Sequence, residues 1–393
     1  MNKVKRFLGM ALAALMVVSS AAGCSNSDTA SSESTGEPTF KIGSIGPATG
    51  NNAAYGLAVQ NGAQIAVDEI NAAGGINGYQ IEFSFEDDES DAEKAVNAYN
   101  VLKDWGMQML LGTVTSAPCT AVASETDNDR MFQITPSGTA VESVQGHDNV
   151  FRVCFSDPAQ GAKSAEYIAT KGLATKIAVI YDSSDVYSSG IYSAFAAEAE
   201  NQGLEIVAAE AFTADNKTDF SVQLQKAKDS GAELVFLPIY YQEASAILQQ
   251  ADNMGYKPMY FGCDGLDGLL GVSGFDTSLA EGVMLLTPFS ADAQDDKTQA
   301  FNAAYEEAYG ETPIQFAADA YDGIYAIKLA AEQAGITPDM DYTEICEKMI
   351  EAMPQIELDG LTGIGGITWG EDGEPNKDPK GVIIENGAYV SMD

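Results

Sequence analysis

The chain has 393 residues, and 58 acidic against 20 basic side chains leave a formal charge of −38 at pH 7. Such a charge excludes nucleic acid as a partner and excludes adhesion to an anionic membrane surface, since both require a cationic face. The acidic residues are spread over 86–91, 292–296 and 371–374 rather than gathered in one tail, so they read as solvated surface.

Residues 1–23 read as an export signal. Lys3, Lys5 and Arg6 precede an apolar run over 7–18, and small residues lead to Cys24. The run is too short to span a bilayer, which takes about 20 apolar residues, and Ser19 and Ser20 end it. Its ending resembles a bacterial lipobox, in which the cysteine is lipidated and starts the mature chain. Ala21 stands where that pattern more often has leucine, and ordinary secretion is the alternative. Residues 24–38 are small and polar and cannot bury a core, so they are expected to be a disordered tether. The roughly 355 residues that remain exceed what one hydrophobic core usually organises, which points to two lobes.

From residue 40 short β-rich runs alternate with helical stretches. A strand over 41–45 is followed by a turn at 46–50. Val59, Ala63, Ala66, Val67 and Ile70 then recur at helical spacing until Gly74-Gly75 stops the helix. Strands are expected at 79–85, 107–112 and 131–135 with a helix over 92–105 between the first two, which implies a parallel sheet covered on both faces. The motif starts again after Asp157: helix 161–170, strand 176–181, helix 191–202, strand 204–212, helix 220–230, strand 234–238. A strand at 283–287, three amphipathic helices over 301–309, 317–334 and 342–353, and a β-like tail at 367–369, 382–384 and 388–390 complete the chain. Two doubly wound lobes follow, with the ligand groove between them, because open α/β sheets receive ligands beyond the carboxyl ends of their strands.

Several chemistries are excluded. His147 is the sole histidine and lies in a turn-like run, so an HExxH zinc site cannot exist and any histidine-based triad would depend on this one residue. There is no GxxxxGK phosphate loop, and no GxGxxG follows the first strand. Cys119, Cys154, Cys263 and Cys346 are widely and irregularly spaced, which disfavours a metal. One or two disulfides and four buried thiols are both open, as both suit an exported protein. No cofactor is expected.

Four loops at strand ends are the candidate ligand sites. In the first, Tyr55 follows the turn after the first strand, as a pocket wall or as a helix-start aromatic packed on the sheet. In the second, Ser116 precedes Pro118 and caps a helix whose N-terminus suits a carboxylate, with plain capping as the rival role. In the third, Thr139 offers a hydroxyl and the Ser137 carbonyl an acceptor, or the loop is a locally bonded turn. The fourth group comprises Asp157, Tyr187, Tyr240 and Asp264, where Asp264 meets a cationic group unless Asp264-Gly265 is simply a turn. Hydroxyls and helix N-termini on one lobe with a carboxylate on the other complement an amino-acid zwitterion.

The runs IGSIGPATG, EINAAGGINGYQIEF, DDESD, GTVTS, ITPSGT, FRVCFSDPAQG and YFGCDG, in this order, resemble the branched-chain amino-acid-binding proteins of ABC transporters from residue 40 to the C-terminus. The resemblance implies a type I periplasmic-binding fold, two lobes joined by three crossings near Asp157, Thr287 and Leu361 and closing by hinge motion. The lobes would then be 39–156 plus 288–360 and 157–287 plus 361–393. It implies that Ser116 and Thr139 hold the ligand carboxylate and that the Ser137 carbonyl and Asp264 hold its ammonium, with Tyr55, Asp157, Tyr187 and Tyr240 lining the cleft. Relatives often have glutamate where Asp264 stands, and Ser90 occupies a region where some have a disulfide cysteine. The function implied is that of a monomeric, lipid-anchored receptor delivering an amino acid to ABC permease subunits. Retention of both carboxylate and ammonium partners favours a branched-chain or small neutral amino acid. A sensory subunit for a membrane receptor or kinase, and a receptor for an amide or urea-type solute, are the alternatives. An exported hydrolase ranks last because no activated nucleophile is visible.

Overall fold

The apolar runs form the strands of two separate sheets in a computed structural model that describes residues 37–363 and 365–392. The export signal, Cys24 and nearly all of the tether lie outside the described residues. The first sheet is built from β1 (Phe40–Gly46), α1 (Ala53–Ala72), β2 (Ile81–Asp87), α2 (Ala92–Trp105), β3 (Met109–Gly112), α3 (Ser116–Asp129), β4 (Phe132–Thr135) and β5 (Val150–Arg152). Its order is β2-β1-β3-β4-β5, parallel throughout.

The second sheet follows with α4 (Asp157–Thr170), β6 (Lys176–Asp182), α5 (Val186–Gln202), β7 (Glu205–Phe212), α6 (Ser221–Asp229), β8 (Leu234–Leu237), α7 (Tyr241–Asn253), β9 (Met259–Gly262) and β10 (Met284–Thr287). The helices α8 (Asp296–Tyr309), α9 (Gln315–Ala334) and α10 (Tyr342–Ala352) come next, and β11 (Lys380–Glu385) and β12 (Ala388–Ser391) close the chain. The order is β12-β11-β10-β9-β8-β6-β7, parallel except for β11, which pairs antiparallel with both β10 and β12 at one edge. The central strands MLLG and LVFL are buried at every position, as strands covered by helices on both faces must be. Part of the acidity is spent on capping. Asp91, Asp185, Asp295 and Asp341 accept first-turn amides of α2, α5, α8 and α10, where a negative charge also meets the positive end of the helix.

The helix α9 returns to the first sheet and lies along α1. At Gly62 an added Cβ would sit 2.0 Å from the Ala317 carbonyl oxygen, so these two helices touch backbone to backbone. The segment from Leu361, expected with the second lobe, lies instead against the first sheet as far as Asn376. Trp369 Nε1 donates to the Arg152 carbonyl at 2.7 Å, and Arg152 N donates to that of Gly373 at 3.1 Å. The reason is burial: Ile367 and Trp369 are almost wholly covered there, and the Leu358–Ile367 and Trp369–Pro375 bridges are too short to form a sheet of their own. The four cysteines Cys119, Cys154, Cys263 and Cys346 are free and buried. Among the described residues no helix is long and apolar enough to cross a membrane, and no group of three or more His, Cys, Asp or Glu could hold a metal ion.

Candidate functional site

The ends of β1, β3 and β4 face the ends of β6, β8 and β9, and their loops meet around one small cavity. The β1–α1 turn can fold onto the helix start because residue 56 is glycine. A Cβ there would lie 2.0 Å from the Pro47 carbonyl oxygen. Tyr55, fully buried, is thereby aimed away from its own sheet. Its Oη donates to the Gly265 carbonyl at 2.5 Å and accepts from Tyr241 N at 3.2 Å, both on the second lobe. Its ring stacks on Phe316 at 4.2 Å.

The β3–α3 and β4 loops form the rest of the first wall, and they are stitched together. Thr135 Oγ1 donates to the Thr113 carbonyl at 2.6 Å and Ser137 Oγ to that of Val114 at 2.8 Å. Thr115, not Ser116, is the cap residue of α3, and its hydroxyl is buried without a partner. Ser116 is the first helical residue. Its Oγ accepts from Ala140 N at 3.2 Å and lies 3.3 Å from Thr139 Oγ1. The sequence rule favours serine as a cap; here that hydroxyl is drawn across to the neighbouring loop instead.

Beneath these loops lies Arg152, wholly buried. Nη1 donates to the carbonyls of Gly138 at 3.1 Å and Thr139 at 2.7 Å, Nη2 to that of Ala140 at 3.0 Å, and Nη2 also pairs with Glu374 at 3.2 Å. The guanidinium fixes the path of the turn that carries Ser137 and Thr139.

On the opposite wall, Asp264 stands at the end of β9. Its Oδ1 accepts from Tyr187 Oη at 2.7 Å, its N donates to Gln160 Oε1 at 3.1 Å, and its carbonyl accepts from Gln315 Nε2 at 2.9 Å. Burial pushes its carboxyl up to about 6, with the bonds from Tyr187 and Gln160 opposing that rise. Tyr187 lies flat on Tyr240, ring centroids 4.7 Å apart.

The cavity is tight, about 10 Å³, and is lined by Tyr55, Val114, Thr115, Ser116, Ser137, Tyr187, Tyr240, Asp264, Gly265 and Phe316. Six of the eight candidate residues therefore share it. Thr139 and Asp157 lie one layer behind. Thr139 is wholly buried against Ser116, and its carbonyl takes the Asp157 amide at 2.8 Å. Burial raises the Asp157 carboxyl well above the usual range. His147 is elsewhere, with Nδ1 3.2 Å from Asp127 Oδ2. Sequence reasoning placed Thr115 and Gly265 in candidate loops without giving them a role, and missed Phe316, with Arg152 and Gln315 behind the cavity. The only advance signal was an arginine set inside the apolar run FRVCF, since a buried guanidinium requires several acceptors.

Electrostatically the cavity has one carboxylate on the second lobe facing hydroxyls and the N-terminus of α3 on the first. It accepts hydrogen bonds on one side and donates them on the other, with Tyr55, Val114 and Phe316 supplying apolar surface between.

The sequence pattern of the periplasmic binding proteins matches residues 39–385. Leu/Ile/Val-binding protein homolog 3 of Brucella melitensis is 31% identical over 339 residues, 85% of this chain and 88% of that one. The leucine-, isoleucine-, valine-, threonine- and alanine-binding protein of Pseudomonas aeruginosa is 30% identical over 298 residues, 76% of this chain and 79% of its own. Among solved structures, the branched-chain amino acid transporter substrate-binding protein LivJ of Streptococcus pneumoniae, in complex with isoleucine, superposes with a TM-score of 0.81 at 31% identity. It covers 90% of this chain and 98% of that one.

Proposed function

We propose, from the premise that this chain belongs to the periplasmic binding protein family and has its type I two-lobed fold, that it is an extracytoplasmic receptor which binds an α-amino acid and delivers it to an ABC permease. The ligand is branched-chain or small and neutral. Lipidation of Cys24 and the tether hold the receptor, as a monomer, within reach of the membrane. It binds and releases without chemistry. One lobe comprises 39–156 with 288–376, the other 157–287 with the final strands, so that the third crossing falls between Asn376 and Lys380.

The observation that carries this reading is the facing pair of walls. Asp264 is the one carboxylate lining the inner cavity, and Ser116, Ser137 and the start of α3 lie opposite. Asp264 and the Ser137 carbonyl take the ammonium. Ser116 and the first amides of α3 take the carboxylate, with Thr139 holding Ser116 in place. Tyr55 and Phe316 cover the side chain, and Tyr187 and Tyr240 form the second-lobe wall. Relatives whose names specify leucine, isoleucine and valine support the choice of ligand class. Isothermal titration with leucine, isoleucine, valine and alanine, beside urea and short amides, is expected to give heat with the amino acids. Silence with every amino acid overturns the reading.

Two further results are expected. In Ser116→Ala the hydroxyl that meets both Ala140 N and the ligand carboxylate is lost, and Kd should rise about tenfold, or about 1.4 kcal/mol, by the same titration. Binding should also depend on pH in one direction. Asp264 is held at about 6 in the unliganded protein, whereas an ammonium partner requires it ionised. Above about pH 7 no proton moves and affinity is flat. Below 6 each binding event must expel a proton, so affinity falls, approaching about tenfold per pH unit. Kd measured from pH 7.5 to about 5 checks this, and a flat profile counts against Asp264 as the ammonium partner.

A further inference from the structure

Outside this cavity, and sharing its Thr115 and Tyr240 walls, lies a larger groove of about 440 Å³ open to solvent between the same two lobes. Nothing in the amino-acid site described above uses it. Three of the residues that line it are more than nine-tenths buried, yet each carries a side-chain oxygen with no hydrogen-bond partner: Asn52 Oδ1, Thr115 Oγ1 and Glu243 Oε2. Asn52 and Thr115 belong to the first lobe, Glu243 to the second. The rest of each group is committed. Asn52 Nδ2 donates to Ser90 Oγ at 3.0 Å, and Glu243 Oε1 pairs with Lys217 Nζ at 3.2 Å.

Two of these orphans can only accept, and the third accepts readily, so what satisfies them must donate. The groove also carries Glu89, Asp182 and Asp185 with Glu243 against the single cation Lys217. A donor entering it is therefore favoured if it is positively charged. Water supplies donors but no charge, and among the described residues no group of carboxylates is arranged to hold a metal ion. What fits is an organic cation with several N–H groups.

We propose that this outer groove is a second ligand compartment, which takes an ammonium or guanidinium group between Asn52 and Thr115 of one lobe and Glu243 and Asp185 of the other. A cation placed there bridges the lobes and favours their closed arrangement. Burial pushes the Asp185 carboxyl up to about 6, which a cation close by would reverse. The cation has two possible sources: the far end of a long basic ligand whose α-amino and α-carboxyl groups occupy the inner cavity, or a separate small amine. Only the first source rests on the amino-acid reading given above, of which it keeps the α-amino and α-carboxyl sites and widens the side chain from neutral to basic.

The test titrates the purified protein with L-leucine, L-arginine and n-butylammonium at constant ionic strength, and repeats it with Glu243→Gln and Asp185→Asn. If the cation is ligand-borne, L-arginine binds and loses about tenfold or more in both variants while L-leucine is unchanged. If it is separate, n-butylammonium raises the melting temperature of the native protein and fails to do so in both variants, whether or not any amino acid binds. Either result supports the compartment. If neither L-arginine nor n-butylammonium distinguishes the native protein from the two variants, the proposal is overturned. Failure of L-leucine alone overturns the amino-acid reading and leaves the amine arm to decide the groove.

Discussion

Replacing Asp264 with asparagine is expected to raise the Kd for the amino acid about hundredfold or more while leaving the folded protein at least as stable at neutral pH. The two halves of this result come from the same carboxylate. The asparagine side chain has the same shape and keeps an oxygen for Tyr187 Oη, so the Tyr187–Tyr240 wall and the Gln160 and Gln315 bonds to the backbone of residue 264 persist. What disappears is the only negative charge on the inner cavity, and the ligand ammonium is left buried without its ion partner. Removing one member of a buried pair costs about 3 kcal/mol, roughly hundredfold in Kd.

Stability moves the other way because burial raises the Asp264 carboxyl from 3.8 to about 6 in the folded chain. A raised carboxyl penalises folding. The penalty begins as pH rises past the unfolded value near 4 and is complete above the folded value, so at pH 7 the neutral amide relieves it. Titration calorimetry and urea denaturation on the same sample separate the effects. A variant that binds normally, or one that loses binding only because it unfolds, sinks the assignment.

That Asp264 and Ser116 would lie at the cavity was legible in the sequence because each stands just past a strand end, Ser116 beside the Pro118 that marks a helix start, although Asp264-Gly265 also reads as a plain turn. The strands were legible for a similar reason. Runs such as MLLG and LVFL are apolar at every position when both faces are covered, and are far shorter than an α-helix usually runs. The misreadings have a common physical origin in contacts distant along the chain. Phe316 reaches the cavity, and Gln315 the layer behind it, from α9, more than 250 residues after Tyr55 on which Phe316 stacks, and nothing local marks them. Ser116 was assigned the cap because local rules reward serine there, whereas the partner that captures its hydroxyl, Ala140 N, is 24 residues away. The tail from Leu361 was expected beside the second sheet; its glycines give turns, and the bonds that draw it to the first sheet, from Trp369 to Arg152 and from Arg152 to Gly373, join residues more than 200 positions apart.

Arg152 is where that distant organisation meets the ligand site, and Arg152→Met is expected to cost about 3 to 5 kcal/mol of stability in urea denaturation and to weaken amino-acid binding as well. Methionine fills much of the space of the stem but donates nothing. The carbonyls of Gly138, Thr139 and Ala140 lose their shared donor at once, in a site with no solvent exposure to replace it, and Glu374 loses its cation. The turn at 137–140 can then relax, and with it the Ser116–Thr139 contact at the cavity, where we propose the ligand carboxylate binds. Arg152→Lys should fall between the two, because one ammonium cannot reach three carbonyls that a planar fork spans. Conversely, if Arg152→Met stays within about 0.5 kcal/mol of the native protein, the guanidinium is not what holds that turn, and the order of the first-lobe wall must come from the β3 and β4 loops alone.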